Sequence, residues 1–206
     1  MGRAVMTSGL LISLEGIDGV GKTTQIERIC AWLRDRVDEV LAVREPGGTP
    51  LGEALRELIL QRVEAQSSLA EFLVFAAARA ELVETVVLPA LARGAVVVMD
   101  RFIDSSVSYQ AFGHGLAVKI VDQINRVVVH ERTPDLTIWL KGDPFPMARA
   151  DRVEERDAQY YARVEQGYQW LVQQEPQRWL VVDSRQSPDE VFGLLQERIE
   201  TLLNDM

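Results

Sequence analysis

The sequence predicts an α/β domain in three layers, a five-stranded parallel sheet with helices on both faces, and three observations predict it. Short apolar runs alternate five times with longer amphipathic stretches, as in repeated strand–helix crossovers. Ala95 to Met99 is apolar without a break, as expected of a strand covered on both sides. The stretches richest in chemistry, Gly16–Thr23, Arg44–Glu45 and Asp100–Arg101, each follow the end of an apolar run. Open parallel sheets bind ligands beyond the carboxyl ends of their strands.

The chain has 206 residues, enough for one domain with a full core. Its 47% hydrophobic and 26% charged residues are ordinary for a globular protein. No apolar run approaches the roughly 18 residues of a membrane span. Residues 1–9 lack the apolar core of a signal peptide, and Met6 is a candidate alternative start. The single cysteine, Cys30, cannot build a disulfide framework; it reads as a small buried hydrophobe, and a reducing cytoplasm is expected. A net charge of −9 argues against a nucleic-acid surface. Any polyanion must therefore bind in a local positive pocket on an acidic body.

Leu10 to Leu14 reads as the first strand. It breaks into a glycine-rich turn, Gly16 to Gly21, and a helix opens at Lys22. This is G-x-x-x-x-G-K-[ST] in its strand–loop–helix setting, the phosphate loop of the P-loop NTPase fold. Glycines turn successive N–H groups of Gly16, Ile17, Asp18, Gly19, Val20 and Gly21 toward one anion, and the helix adds its positive end. Lys22 then reaches β- and γ-phosphates, and the Thr23 hydroxyl, next to Thr24, ligates Mg²⁺.

Thr23 to Arg36 spaces Ile26, Ile29, Trp32 and Leu33 along one helical face. Val40 to Val43 is the second strand, running into Arg44-Glu45-Pro46-Gly47-Gly48-Thr49-Pro50, a loop that forbids helix. Its Arg44–Glu45 pair reads either as ligand contact or as a solvated salt bridge. Leu51 to Gln61 is a helix and Ser67 to Leu91 a long one, with Phe72, Phe75, Ala76, Arg79 and Val83 on one face. Phe75 and Arg79 either frame one object or are a core ring beside a surface arginine. Asp100, ending the Ala95–Met99 strand, occupies the position at which a carboxylate holds Mg²⁺. Ser105 to Gln110 starts a helix that the glycines around Phe112-Gly113-His114-Gly115 break, and Val118 to Val129 is another helix. Pro134 to Leu140 is the fourth strand. Met147 to Arg156 is charge-dense, with Arg149, Arg152 and Arg156 among acids, usually a solvated face. Tyr160 to Gln174 is an amphipathic helix, Trp179 to Val182 the fifth strand and Ser187 to Leu203 the closing helix, where Ser187 and Glu190 fit a capping box.

With these residues in place, the sequence resembles the bacterial thymidylate kinases (dTMP kinases) of the nucleoside monophosphate kinase group. The resemblance runs from Ile12 to Leu195. It rests on Glu15 to Thr24, Arg44 to Thr49, Phe75 to Arg79, Asp100-Arg101-Phe102 with Ser105, Ser106, Tyr109 and Gln110, and Pro134 to Thr137. The resemblance implies ATP and dTMP as substrates, Mg²⁺ as cofactor and a homodimer. It implies that Asp18 holds the sugar 3′-hydroxyl, Arg44 and Arg101 the 5′-phosphate, and Phe75 and Arg79 the thymine. It also implies that Ser105 or Ser106 faces the pyrimidine, that Tyr109 crowds the 2′ position and that Gln110 belongs to the same pocket.

Two departures stand out. The family's usual aspartate after the fourth strand is Lys141, and the lid, about residues 141–156 of a single kinase domain, is shorter and poorer in arginine. Gly19 leaves the phosphate loop without an arginine, so Arg149 or Arg152 is the expected catalytic arginine, and His114 reads as a surface loop histidine. The reading is phosphoryl transfer from ATP to dTMP in dTTP biosynthesis. Its rivals are a kinase with another nucleotide acceptor and a non-catalytic nucleotide-binding paralogue.

Overall fold

The computed structural model describes residues 9–60, 67–143 and 158–204. Strand β1 (Leu10–Glu15) leads through the glycine turn into α1 (Lys22–Leu33), and β2 (Val40–Arg44) is followed by α2 (Pro50–Leu60). Helix α3 (Ser68–Leu82) passes through a wide helical turn (Val83–Val87) into α4 (Leu88–Ala92), and β3 (Val96–Asp100) follows. Helix α5 (Ile103–Ser106) continues into a second wide turn (Val107–Gly113) and leads to α6 (Val118–Val128). Then come β4 (Leu136–Lys141), α7 (Ala158–Gln174), β5 (Trp179–Asp183) and α8 (Pro188–Asn204).

The five strands form one sheet in the order β2-β3-β1-β4-β5, every pair parallel. The chain goes from β1 to β2, returns to β3, then crosses to β4 and β5, so β1 lies at the switch point where ligands bind in such sheets. The register decides what meets there. Leu14 and Arg44 both pair with Asp100, so β1, β2 and β3 finish in one row. Glu45 N donates to Asp100 O at 3.0 Å and Arg101 N to Leu14 O at 3.0 Å, carrying the pairing one residue into the loops.

The two-residue period of the strands divides them between two cores. Leu10, Ile12, Leu14, Val96 and Val98 pack with Ile26, Ile29 and Leu33 of α1 and Leu195 and Ile199 of α8. Leu11, Val97 and Met99 face the other way, against Leu82, Val83, Val87 and Phe102. An aromatic cluster of Tyr109, Trp139, Tyr160, Tyr168 and Trp179 seats α7 on the second wide turn. Cys30 is buried, and Glu190 N donates to Ser187 Oγ at 3.3 Å while Ser187 N donates to Glu190 Oε2 at 2.9 Å, a capping box at the start of α8. Among the described residues no helix is long and apolar enough to cross a membrane.

Several expectations change. The first helix ends at Leu33 rather than Arg36, with Arg34 as its C-cap. The long helix from Ser67 is not uniform: its ladder widens at Val83–Val87, with Val83 and Val87 buried in the core. His114 is no bare surface histidine: it is half-buried, its ring 5.2 Å from that of Tyr160 and its Nε2 3.5 Å from Glu71 Oε1. The close approach of α7 draws it in. Arg149, Arg152, Arg156 and most of the lid stretch lie outside the described residues.

That approach depends on Gly167, where a Cβ would stand 2.7 Å from the Ser108 Cα, whereas at Gly193 in α8 a Cβ meets nothing within 4 Å. Gly167→Ala should therefore cost about 1–3 kcal/mol by overpacking. Gly193→Ala should instead add about 0.4–1 kcal/mol by restricting the unfolded chain. Urea unfolding of the two variants checks the opposite signs.

Candidate functional site

The glycine turn after β1 folds as the motif requires. Gly16, Gly19 and Gly21 have φ of 134°, 80° and 92°, conformations closed to ordinary side chains. At Gly16 a Cβ would lie 2.5 Å from the Leu140 carbonyl oxygen of β4. Ile17 and Val20 turn their side chains to the core beneath the loop. Thr23 and Thr24 are exposed and, with Gly19, Gly21 and Lys22, line a cleft closed on its far side by Arg44, Asp100 and Arg101. Lys22 folds back over the loop, its Nζ donating to Gly16 O at 3.1 Å and Ile17 O at 2.9 Å. Burial, with nearby Arg101, lowers its pKa to about 8 against the opposing pull of Asp18, Asp100 and Glu15.

Arg101 joins this cleft to a second pocket. It stands at φ 68°, ion-paired with Asp18, with Nη1 donating to Ser105 Oγ at 3.2 Å and its guanidinium 5.0 Å from the Tyr109 ring centre. Burial opposes ionisation of Asp18, but Arg101 and Lys22 prevail and hold its carboxyl at about 2. Asp18, Glu45, Arg56 and Arg101 line both cavities. The second pocket is completed by Phe75, Arg79, Ser105, Ser106, Tyr109 and Gln110 with Pro46, Ile59 and Leu60. One end is cationic and the other offers an aromatic face, the complement of a nucleotide's phosphate and base.

The thymidylate kinase family model matches residues 14–194. Curated thymidylate kinases are similar over almost the whole chain. That of Deinococcus radiodurans is 45% identical over 90% of this chain and 94% of its own length. That of Chlorobaculum parvum is 38% identical over 94% and 96%. The crystal structure of thymidylate kinase from Ehrlichia chaffeensis superposes with a TM-score of 0.78 at 32% identity, covering 95% of this chain and 99% of that one. The chain belongs to the thymidylate kinase family. It is a phosphotransferase with the α/β P-loop fold.

For a thymidylate kinase, the placement of the expected residues is specific. Gly19, Gly21, Lys22, Thr23, Thr24, Arg44 and Asp100 share the cleft over the glycine loop. Phe75, Arg79, Ser105, Ser106, Tyr109 and Gln110 share the other pocket, and Asp18 and Arg101 belong to both. Three residues differ in character from their expected form. Arg44 and Glu45 are no pair of their own: Arg44 Nη2 binds Glu53 at 3.1 Å near the surface, and Glu45 is buried against Arg79. Arg79 is itself buried, with Nε on Glu45 Oε2 at 2.7 Å, Nη1 on Asn125 Oδ1 at 2.6 Å and Nη2 on Phe102 O at 3.2 Å, so it is part of the pocket wall. Lys141 pairs with Glu165 at 3.0 Å.

Other site residues escaped sequence reasoning. Arg56 lines both cavities, and Asn125 and Tyr168 arrive from α6 and α7 with no local signal to mark them. Glu15 did carry one, an acid closing an apolar strand. It is wholly buried, accepting from Phe102 N at 2.8 Å, from Tyr168 OH at 3.0 Å and from Ser105 Oγ. Burial first, and then nearby Asp104, raises its pKa from 4.5 to about 7. Between these values the folded chain holds a proton that the unfolded chain has released, so Glu15 makes stability fall as pH rises through that window. Wild type should lose stability relative to Glu15→Gln between pH about 5 and about 8, seen as urea midpoints converging or crossing. A wild-type-to-variant difference independent of pH would show that Glu15 ionises normally.

Proposed function

We propose that this chain transfers the γ-phosphoryl group of ATP to dTMP, giving ADP and dTDP, with Mg²⁺ as cofactor. The observation that carries the proposal is the wall shared by the two cavities. Asp18 and Arg101 face both, so a donor phosphate over the glycine loop and an acceptor phosphate beneath the base pocket meet at one point.

On this reading the phosphate loop takes the donor's phosphates, and Lys22 exchanges the carbonyls of Gly16 and Ile17 for the β- and γ-phosphate oxygens. A phosphate beside Lys22 restores the full charge that burial weakens. The donor's base has room in an apolar pocket on the outer side of the loop, between Val20, Leu140, Pro188 and Val191. Arg101 and Arg44 take the acceptor phosphate, whose oxygen is already an anionic nucleophile and needs no strong base. Phe75 stacks on thymine, Arg79 turns its remaining N–H groups to the base, Ser105, Ser106 and Gln110 offer hydrogen-bond groups beside it, and Tyr109 crowds the 2′ position. Positioning and neutralisation of charge then do the catalysis.

The donor set suits Mg²⁺. Asp100 Oδ1 is buried without a hydrogen-bond partner at the edge of the cleft that holds the Thr23 hydroxyl. One carboxylate and one hydroxyl fit an ion that keeps several waters and shares the substrate's phosphates. Asp100 and Thr23 would hold it, and when bound it neutralises phosphate charge. A single kinase domain and a cytoplasmic location complete the reading, as does a homodimer. Support for the homodimer comes from exposed Leu58 of α2, Leu69 and Leu73 of α3, and Ile120 and Val127 of α6.

The test is dTMP-dependent release of ADP from ATP, with dUMP, dCMP and thymidine as competing acceptors. Lys22→Met should lower kcat by at least about 10²-fold while the protein stays folded. Phe75→Ala should raise the dTMP KM by the equivalent of about 1–3 kcal/mol and leave the ATP KM unchanged. A preparation that binds ATP yet shows no acceptor-dependent ADP release would refute the proposal.

A further inference from the structure

Arg101 is the hinge of the site and its backbone is held in an unfavourable conformation, φ 68° without being glycine. Its neighbours hold the turn from β1. Arg101 N donates to Leu14 O at 3.0 Å, and the next amide, Phe102 N, donates to Glu15 Oε1 at 2.8 Å. Consecutive amides of the turn are thus bound to consecutive residues of the strand that feeds the phosphate loop. The other oxygen of Glu15 accepts from Ser105 Oγ, and that hydroxyl in turn accepts Arg101 Nη1 at 3.2 Å. Tyr168 OH, from α7, donates to the same Glu15 oxygen at 3.0 Å, while its ring stacks on Trp139 at 5.3 Å. Glu15 therefore acts on Arg101 at both ends, on the turn through Phe102 and on the guanidinium through Ser105. It is wholly buried and lines neither cavity.

We infer that Glu15 is a positioning residue for phosphoryl transfer, holding Arg101 where one guanidinium serves both the phosphate cleft and the acceptor pocket. The inference rests on the kinase reading above. In its ionised form, which prevails above pH about 7, Glu15 suits the task because both its oxygens accept, and three donors from three elements converge on them. A glutamine of the same size must present an NH₂ group to one of them. The local positions of the turn, of α5 and of α7 are all referred to this one group, which follows directly into Gly16.

Glu15→Gln should lower kcat by about 10²-fold, the scale of misplacement in a catalytic constellation, with both KM values within about threefold of wild type. The discriminating readout is a double-mutant cycle. If Glu15 acts through Arg101, Glu15→Gln combined with Arg101→Ala should be no slower than Arg101→Ala alone. Multiplying losses, or an unchanged kcat in Glu15→Gln, would overturn the inference. Should Glu15→Gln fail to fold, Tyr168→Phe, which keeps the ring stack and removes one donor, enters the same cycle with a smaller loss and the same required non-additivity. Absence of turnover in wild type would refute the kinase reading instead. The crystal structure of the folded variant, Glu15→Gln or Tyr168→Phe, then decides: Arg101 displaced from Asp18 supports the positioning role, and an unmoved Arg101 overturns it.

Discussion

Everything at this site hangs on the parallel pairing of β1 with β3. Leu14 lies opposite Asp100, and the two chains leave the sheet in step, joined once more by the bond from Arg101 N to Leu14 O. That register brings the glycine turn, Asp100 and the strained Arg101 to the wall of one cleft. A slip of one residue would turn Asp100 to the other face and move every side chain of β3 into the wrong core. Burial enforces the register from both sides, since Val96 and Val98 face one cluster while Val97 and Met99 face the other.

The second constraint is charge. A chain of net charge −9 gathers Lys22, Arg44 and Arg101 around one cleft, and carboxylates hold each of them in place. Lys22 and Arg101 converge on Asp18, and Arg44 rests on Glu53. Arg79 is neutralised by Glu45 deep in the wall. Buried pairs of this kind contribute little net stability, because desolvation offsets their attraction, but removing one partner strands the other. They specify geometry, fixing the cations in the walls of the two cavities.

Two widened helical turns flank the same region. One, Val83–Val87, seats valines under the sheet after α3; the other, Val107–Gly113, carries Tyr109 and Gln110 into the pocket lined by Phe75 and Arg79. Single π-type turns are costly departures from the α ladder and recur at functional sites, where an extra residue re-aims side chains. Packing of α7 through Gly167 and Tyr168 closes over the second of them.

What the sequence alone determined was local. Five apolar runs, the glycine spacing of residues 16–21 and the Ser187–Glu190 cap each depend on neighbours a few residues away, and all of them appear in the fold. The loop expected from Arg44 to Pro50 appears too, shortened to residues 45–49 because Arg44 ends β2 and Pro50 opens α2. Membership of the family was legible for the same reason, because its motifs are short and contiguous. The tertiary structure decided the partners. Asp18 finds Arg101 across 83 residues, Arg79 finds Asn125 across 46, and Glu15 finds Tyr168 across 153. Nothing in the local pattern distinguishes Arg44, which faces outward, from Arg79, which is walled in. Periodicity reports which face of an element is buried; it carries no record of which distant element covers that face. A buried polar group must find its hydrogen-bond partner wherever packing delivers one, and only the assembled layers set that distance.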